Sequence, residues 1–156
     1  MTTPVEFIGD HELDILDVAR RARAAALKLA SVSSQTKDEA ILAIAEEIER
    51  QKPQLEQVNT KDVDAAVKSG LATPLVKRLK LDTSKIDEIS KGLRSLAELE
   101  DPVGKTLLAT EMDRGLELYK VTCPIGVIGA IFESRPDALV QITSLCLKSG
   151  NAAILK

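Results

Sequence analysis

The sequence has 156 residues, with 21 lysines and arginines against 24 aspartates and glutamates and a net charge of −3, a length that makes one ordinary domain or part of a larger one. Hydrophobic residues at 44% and charged residues at 29% can build a core, whereas 2% aromatics cannot supply the stacking platforms of single-strand binders and the acidic balance gives no footprint on a duplex, so nucleic acid is not an expected partner. Two cysteines, Cys123 and Cys146, and one histidine, His11, exclude a zinc centre and a disulfide framework; no run reaches the ~18 apolar residues of a membrane span, and no basic leader precedes an apolar stretch. Neither metal nor membrane is expected, and the expected compartment is the cytoplasm.

The first half reads as helices. His11, among Asp10, Glu12 and Asp14, falls in a segment that reads as surface. Ile15, Val18, Ala22, Ala25 and Leu29 recur on one helical face, with Arg20, Arg21, Arg23 and Lys28 as a solvated remainder. Thr36-Lys37-Asp38-Glu39 has the form of a capping box ahead of the stripe Ile41, Ile44, Ala45 and Ile48. Pro53 interrupts that pattern, Asn59 or Thr60 can cap a short third helix that Gly70 ends, and Thr73-Pro74 starts another. Asp82-Thr83-Ser84 offers capping oxygens before Ile86, Ile89, Leu93 and Leu96, and Asp101-Pro102 closes that helix. Residues 107–111 and 116–121 flank the turn cluster Asp113-Arg114-Gly115, which predicts a partly exposed β-hairpin.

After Pro124 charge becomes sparse. Val127-Ile128-Gly129-Ala130-Ile131-Phe132 is continuously apolar, as a strand covered on both faces of a parallel sheet would be. Pro136 then fits the first position of a helix carrying Leu139, Val140, Ile142, Thr143, Leu145, Cys146 and Leu147 and ending at Gly150, and residues 152–155 return as a second strand. The unit is βαβ, with a right-handed crossover. An open sheet of this type normally has more strands, so the chain reads as cut off at a strand end, where such sheets bind ligands.

Gly126 and Gly129 precede and interrupt the strand rather than follow it, so they do not make a dinucleotide-binding glycine fingerprint. Phe132-Glu133-Ser134-Arg135-Pro136-Asp137 puts two carboxylates, a hydroxyl and a guanidinium at the strand's C-terminal end. Two readings stand: a binding site, or a plain turn in which Ser134 or Asp137 caps the helix and Arg135 pairs with Glu133. Cys123 and Cys146 read as small structural hydrophobes. Lys156 is either a solvated lysine or a cation placed for a cofactor's ribose or phosphate.

Cys123-Pro124-Ile125-Gly126-Val127-Ile128, Phe132 through Gln141, and Ser149 through Lys156 closely resemble the gamma-glutamyl phosphate reductase (glutamate-5-semialdehyde dehydrogenase) family of the aldehyde dehydrogenase superfamily. Gly70-Leu71, Lys77-Arg78-Leu79, Ala97 through Gly104, and Gly115-Leu116 with Tyr119 extend the resemblance over nearly the whole chain. It implies an α/β fold with N-terminal helices (1–104), a β-hairpin oligomerisation arm (105–122) and the first βαβ unit of an aldehyde-dehydrogenase-like, Rossmann-type cofactor domain (123–156), truncated and without the catalytic domain. It also implies the reduction of L-glutamyl 5-phosphate with NADPH to L-glutamate 5-semialdehyde and phosphate in L-proline biosynthesis. In that chemistry a cysteine thiolate displaces phosphate and hydride reduces the thioester. The cysteine concerned would lie beyond Lys156, so this chain alone is expected to be inactive.

By the same resemblance Ile131, Phe132 and Glu133 border the nicotinamide and Lys156 contacts the adenosine ribose, where a cation favours a 2′-phosphate. Ser134 stands where aldehyde dehydrogenases carry an asparagine that donates to the developing oxyanion, a bond a hydroxyl can also make. Arg135 has no charged counterpart there and suits the extra charge of an acyl phosphate. Homo-oligomers would form through residues 105–122. The competing expectation is a complete, non-catalytic product that binds a reductase subunit through its hairpin and sheet edge.

Overall fold

The structure, a computed structural model, describes residues 15–156; His11 and the acidic residues beside it lie outside the described residues. In chain order it contains α1 (Ile15–Leu29), α2 (Ser34–Arg50), α3 (Lys52–Lys68), α4 (Thr73–Leu79), α5 (Thr83–Glu98), β1 (Thr106–Asp113), β2 (Leu116–Val121), β3 (Val127–Ala130), α6 (Pro136–Lys148) and β4 (Ala152–Leu155).

The covered stripe of α1 is Val18, Ala22, Ala26 and Leu29 rather than the expected face through Ile15 and Ala25, both of which are exposed. The helix packs on the narrow two-stranded sheet β3–β4, which covers only a thin stripe of it. The cap of α2 also falls earlier than the T-x-x-E pattern suggests. Ser33 is extended and its Oγ accepts the Thr36 N–H at 3.1 Å, so Thr36 lies inside the helix and Glu39 accepts instead from the Gln35 amide at 2.8 Å.

Pro53 does not separate helices by being excluded from them. It sits in the first turn of α3, where a missing N–H removes no helical bond. Asn59 is therefore no cap but a buried mid-helix residue: its Nδ2 donates to the Leu79 carbonyl at 2.9 Å and its Oδ1 accepts from the Leu81 N–H at 2.6 Å. That amide ties α3 to the segment between α4 and α5. Gly70 ends α3 as expected, at φ 76, with Leu71 N–H reaching back to Ala66. Asp82 caps α5 by accepting the Lys85 N–H at 3.2 Å.

Ile41 and Ala45 of α2 meet Ile89 and Leu93 of α5 in the core, and Val140 and Leu147 of α6 pack against that cluster. α6 thus touches the helical layer as well as β4. Lys148, near its end, is 3% exposed, with Nζ on Asp38 Oδ1 at 2.5 Å and on the Ala97 carbonyl at 3.0 Å.

β1 and β2 form the expected antiparallel hairpin, paired Ala109 to Tyr119 and Thr110 to Leu118, with Gly115 at φ 78 in the turn. It is exposed at every residue, not partly. β3 and β4 run parallel from Val127–Ala152 to Ala130–Leu155, giving the βαβ unit. The predicted strand 127–132 stops at Ala130: Ile131 is 86% exposed, and no residue of β3 or β4 is fully buried.

Asn59→Ala leaves the part-buried Leu79 carbonyl and Leu81 N–H without these partners and should lower unfolding free energy by about 1–2 kcal/mol in urea titration. A loss under about 0.5 kcal/mol would show that the Asn59 bonds are not structural.

Candidate functional site

The two parallel strands end side by side. Lys156 N–H donates to the Ala130 carbonyl and Phe132 N–H to the Lys156 carbonyl, each at 2.9 Å. Ile131, Phe132, Glu133 and Lys156 are thereby gathered at the C-terminal end of the sheet, where α/β sheets collect ligands. Among the described residues neither Glu133 nor Lys156 has an ion-pair partner, so both charges are available there.

Ser134 follows with φ 52, the one non-glycine residue among those described in the left-handed region. For an L side chain this conformation costs about 1–2 kcal/mol, and it redirects the chain so that Pro136 opens α6. Neither Ser134 nor Asp137 caps the helix: the N-cap is Arg135, without a side-chain cap bond. Arg135 pairs with Asp137 and not with Glu133, Nη2 to Oδ2 at 3.3 Å, because the turn at Ser134 brings it over the first helical turn. A carboxylate there is also favoured by the helix dipole.

The expected burial of both cysteines holds for one of them. Cys146 is buried, and burial pushes its thiol up, away from thiolate. Cys123 is exposed, because it lies between the projecting hairpin and Pro124.

Asn151 is a supporting residue that the sequence reading missed. It is 5% exposed; Oδ1 accepts the Gly126 N–H at 2.8 Å, and Nδ2 donates to the Ser149 carbonyl at 3.2 Å. With Ala152 N–H on the Gly126 carbonyl at 2.9 Å, it aligns the starts of both strands and hence their ends. Its only sequence signal is its place directly after the helix-ending Gly150, whose φ is 72. A largely apolar groove of about 490 Å³ between α5 and α6 shares only Asp137 with the strand-end segment 131–137.

Two cations, Arg135 and Lys156, two carboxylates, Glu133 and Asp137, and the Ser134 hydroxyl stand at or just past the strand ends, and the buried Cys146 thiol offers them no nucleophile. The fold defines an α/β protein whose parallel βαβ unit leaves its strand C-termini open, the end at which such sheets bind ligands. No protein-family model matches the chain. The gamma-glutamyl phosphate reductase of Pelotomaculum thermopropionicum is 54% identical over 144 residues, 92% of this chain and 33% of the relative. That of Ruminiclostridium cellulolyticum is 51% identical, with the same coverage. Among solved structures, the gamma-glutamyl phosphate reductase of Saccharomyces cerevisiae superposes with a TM-score of 0.90 at 41% identity, covering 94% of this chain and 37% of that one. The Thermotoga maritima gamma-glutamyl phosphate reductase gives 0.85 at 37% identity, covering 91% and 34%. The chain is similar to the N-terminal region of gamma-glutamyl phosphate reductases, and spans about a third of the length of the curated relatives it matches.

Ser134→Gly should raise stability by up to about 1 kcal/mol, since glycine adopts this φ without the side-chain penalty. A thermal melt that falls instead would show that the Ser134 side chain holds the turn.

Proposed function

We propose that these residues form the N-terminal part of an NADPH-dependent reductase that converts L-glutamyl 5-phosphate to L-glutamate 5-semialdehyde and phosphate, a step of L-proline biosynthesis. The observation that carries this reading is the 54% identity to a gamma-glutamyl phosphate reductase over 92% of the chain, with the segment Phe132 to Asp137 lying at the sheet's C-terminal end. Residues 1–104 would form the helical part of a cofactor domain, 105–122 an arm joining copies of the enzyme, and 123–156 the first βαβ unit of an aldehyde-dehydrogenase-like domain. The setting would be the cytoplasm.

The residues present fit a phosphorylated dinucleotide. Among the described residues Lys156 has no ion-pair partner at its parallel strand end, where it suits a ribose 2′-phosphate, and the exposed Ile131 with Phe132 and Glu133 borders the same end. NADPH would supply hydride when bound. The half-exposed Arg135 would hold the charged acyl phosphate through its guanidinium, exchanging its Asp137 partner for the substrate. Ser134, across the same turn, would donate its hydroxyl to the oxygen on which charge develops. The acyl-accepting nucleophile would be neither Cys146, which is buried and protonated, nor Cys123, which sits in the hairpin-to-sheet loop away from the strand ends.

The exposed apolar residues of the hairpin favour a second reading, a non-catalytic partner-binding module. NADPH-dependent reduction of glutamyl phosphate by a full-length protein carrying these 156 residues decides between the two; no turnover sinks the first. In that enzyme Arg135→Met should raise KM for the acyl phosphate or lower kcat by about tenfold or more, with NADPH affinity changed less than about twofold. Loss of stability or cofactor affinity alone would reduce Arg135 to a partner of Asp137. Cys123→Ala and Cys146→Ala should keep turnover, and a loss of about a hundredfold with folding intact would overturn their assignment.

A further inference from the structure

The hairpin β1–β2 leaves the body through a densely bonded root. Thr122 closes it: the hydroxyl donates to the Pro102 carbonyl at 2.7 Å and accepts from Lys105 N–H at 2.9 Å, and Gly104 N–H donates to the Thr122 carbonyl at 2.9 Å. Asp101 folds back on the same loop, with Oδ1 accepting the Val103 N–H at 2.9 Å, while Oδ2 meets Lys37 Nζ of α2 at 2.5 Å. Lys37 is 3% exposed, although lysines are almost never buried unless paired. The next residue of α2, Asp38, holds the equally buried Lys148 of α6, and the Ser34 hydroxyl donates to Asp38 Oδ2 at 3.4 Å. Burial raises the Asp101 carboxyl, but Lys37, the Val103 amide and Ser34 outweigh it and hold the group below the usual carboxylate range. One turn of α2 thus grips both the hairpin root and α6.

We propose that Lys37 and Asp101 are positioning residues, whose ion pair, buried on its lysine side, fixes the direction in which the hairpin arm leaves the body, so that the arm projects rigidly instead of swinging on its root. Both strands are exposed at every residue, so no packing along the arm steers it. The Glu100–Lys105 pair, 2.5 Å apart, closes the root loop only upon itself. Val103 and Pro124 close over Gly150, whose added Cβ would lie 3.0 Å from Pro124 Cγ, but apolar contact tolerates rocking in a way that a short charge-assisted bond does not. The device holds whether the arm joins copies of the enzyme or binds another partner.

Spin labels at Lys91→Cys on α5 and Arg114→Cys at the arm tip, in a Cys123→Ala chain diluted with unlabelled protein, read the arm's direction as a distance distribution by pulsed electron paramagnetic resonance. With the pair intact the distribution is single and narrow. Lys37→Met combined with Asp101→Asn removes both charges, leaves neither buried alone, and should widen the distribution about twofold or more while helical circular dichroism is retained. Equal widths with and without the pair, or a broad distribution with it intact, overturn the proposal. So does loss of helical circular dichroism in the double variant, because a pair on which the whole fold depends does not set the arm alone.

Discussion

A single buried ammonium ties α6, the helix of the βαβ unit, to the helical layer. Lys148 ends α6 inside the protein, and its charge is met by the Asp38 carboxylate and the Ala97 carbonyl. A buried pair of this kind contributes little net stability against an apolar substitute, but removal of one partner strands a charge at a cost of about 3–5 kcal/mol. Its effect is therefore on arrangement: α6 can slide or rotate, with Val140 and Leu147 shifting over the Ile41, Ala45, Ile89 and Leu93 cluster at modest cost in apolar contact, and loses its salt bridge if it does so. The 13 residues of α6 span about 20 Å. An anchor at its C-terminus thus sets the place of Arg135 and Asp137 at the other end.

The strand-end site combines a costly feature with a cheap one. The left-handed Ser134 carries strain that a simple turn does not need, and it puts Arg135 over the first turn of α6 rather than back toward Glu133. The Arg135–Asp137 pair is half-exposed on the arginine side, so solvent screening leaves it worth at most about 1 kcal/mol. An incoming anion can take the guanidinium from Asp137 at little expense. Fixed backbone and loosely held charge are what a binding loop requires.

Element identity was legible because it depends on local signals. Gly70, Asp82, the Asp113-Arg114-Gly115 turn and Pro136 each act within a few residues, and each ends, caps or opens an element as its chemistry suggests. In several of the failures a distant partner decided the outcome. Asn59 looked like a cap because asparagine favours caps, yet its partners are Leu79 and Leu81. Ala26 replaced Ala25 in the covered face of α1 because only the sheet's position selects between adjacent faces. Lys148 is a cation at the end of a largely apolar helix, and nothing local names Asp38, 110 residues away. At the site, the gathering of residues 131–135 and Lys156 followed from βαβ geometry, whereas the choice of Asp137 over Glu133 depended on one backbone angle at Ser134.

The hairpin draws these threads together. A two-stranded ribbon is marginal in water by itself, since its strands bury nothing but each other. Here Leu107, Leu108, Met112, Leu116, Leu118 and Tyr119 are all more than half exposed, so the strands owe little of their order to burial. Their register irregularities between Thr106 and Leu108 and between Glu111 and Asp113 further weaken the ladder. What keeps the ribbon paired is its two ends: Gly115 permits the tight turn at the tip, and Thr122 with Gly104 and Lys105 locks the root. The root is in turn held to α2 by Lys37 and Asp101, one residue from the carboxylate that holds α6. The arm and the strand-end site therefore share one mechanical reference, the first turn of α2, and a partner that seats on the arm bears on the same frame that aims Arg135.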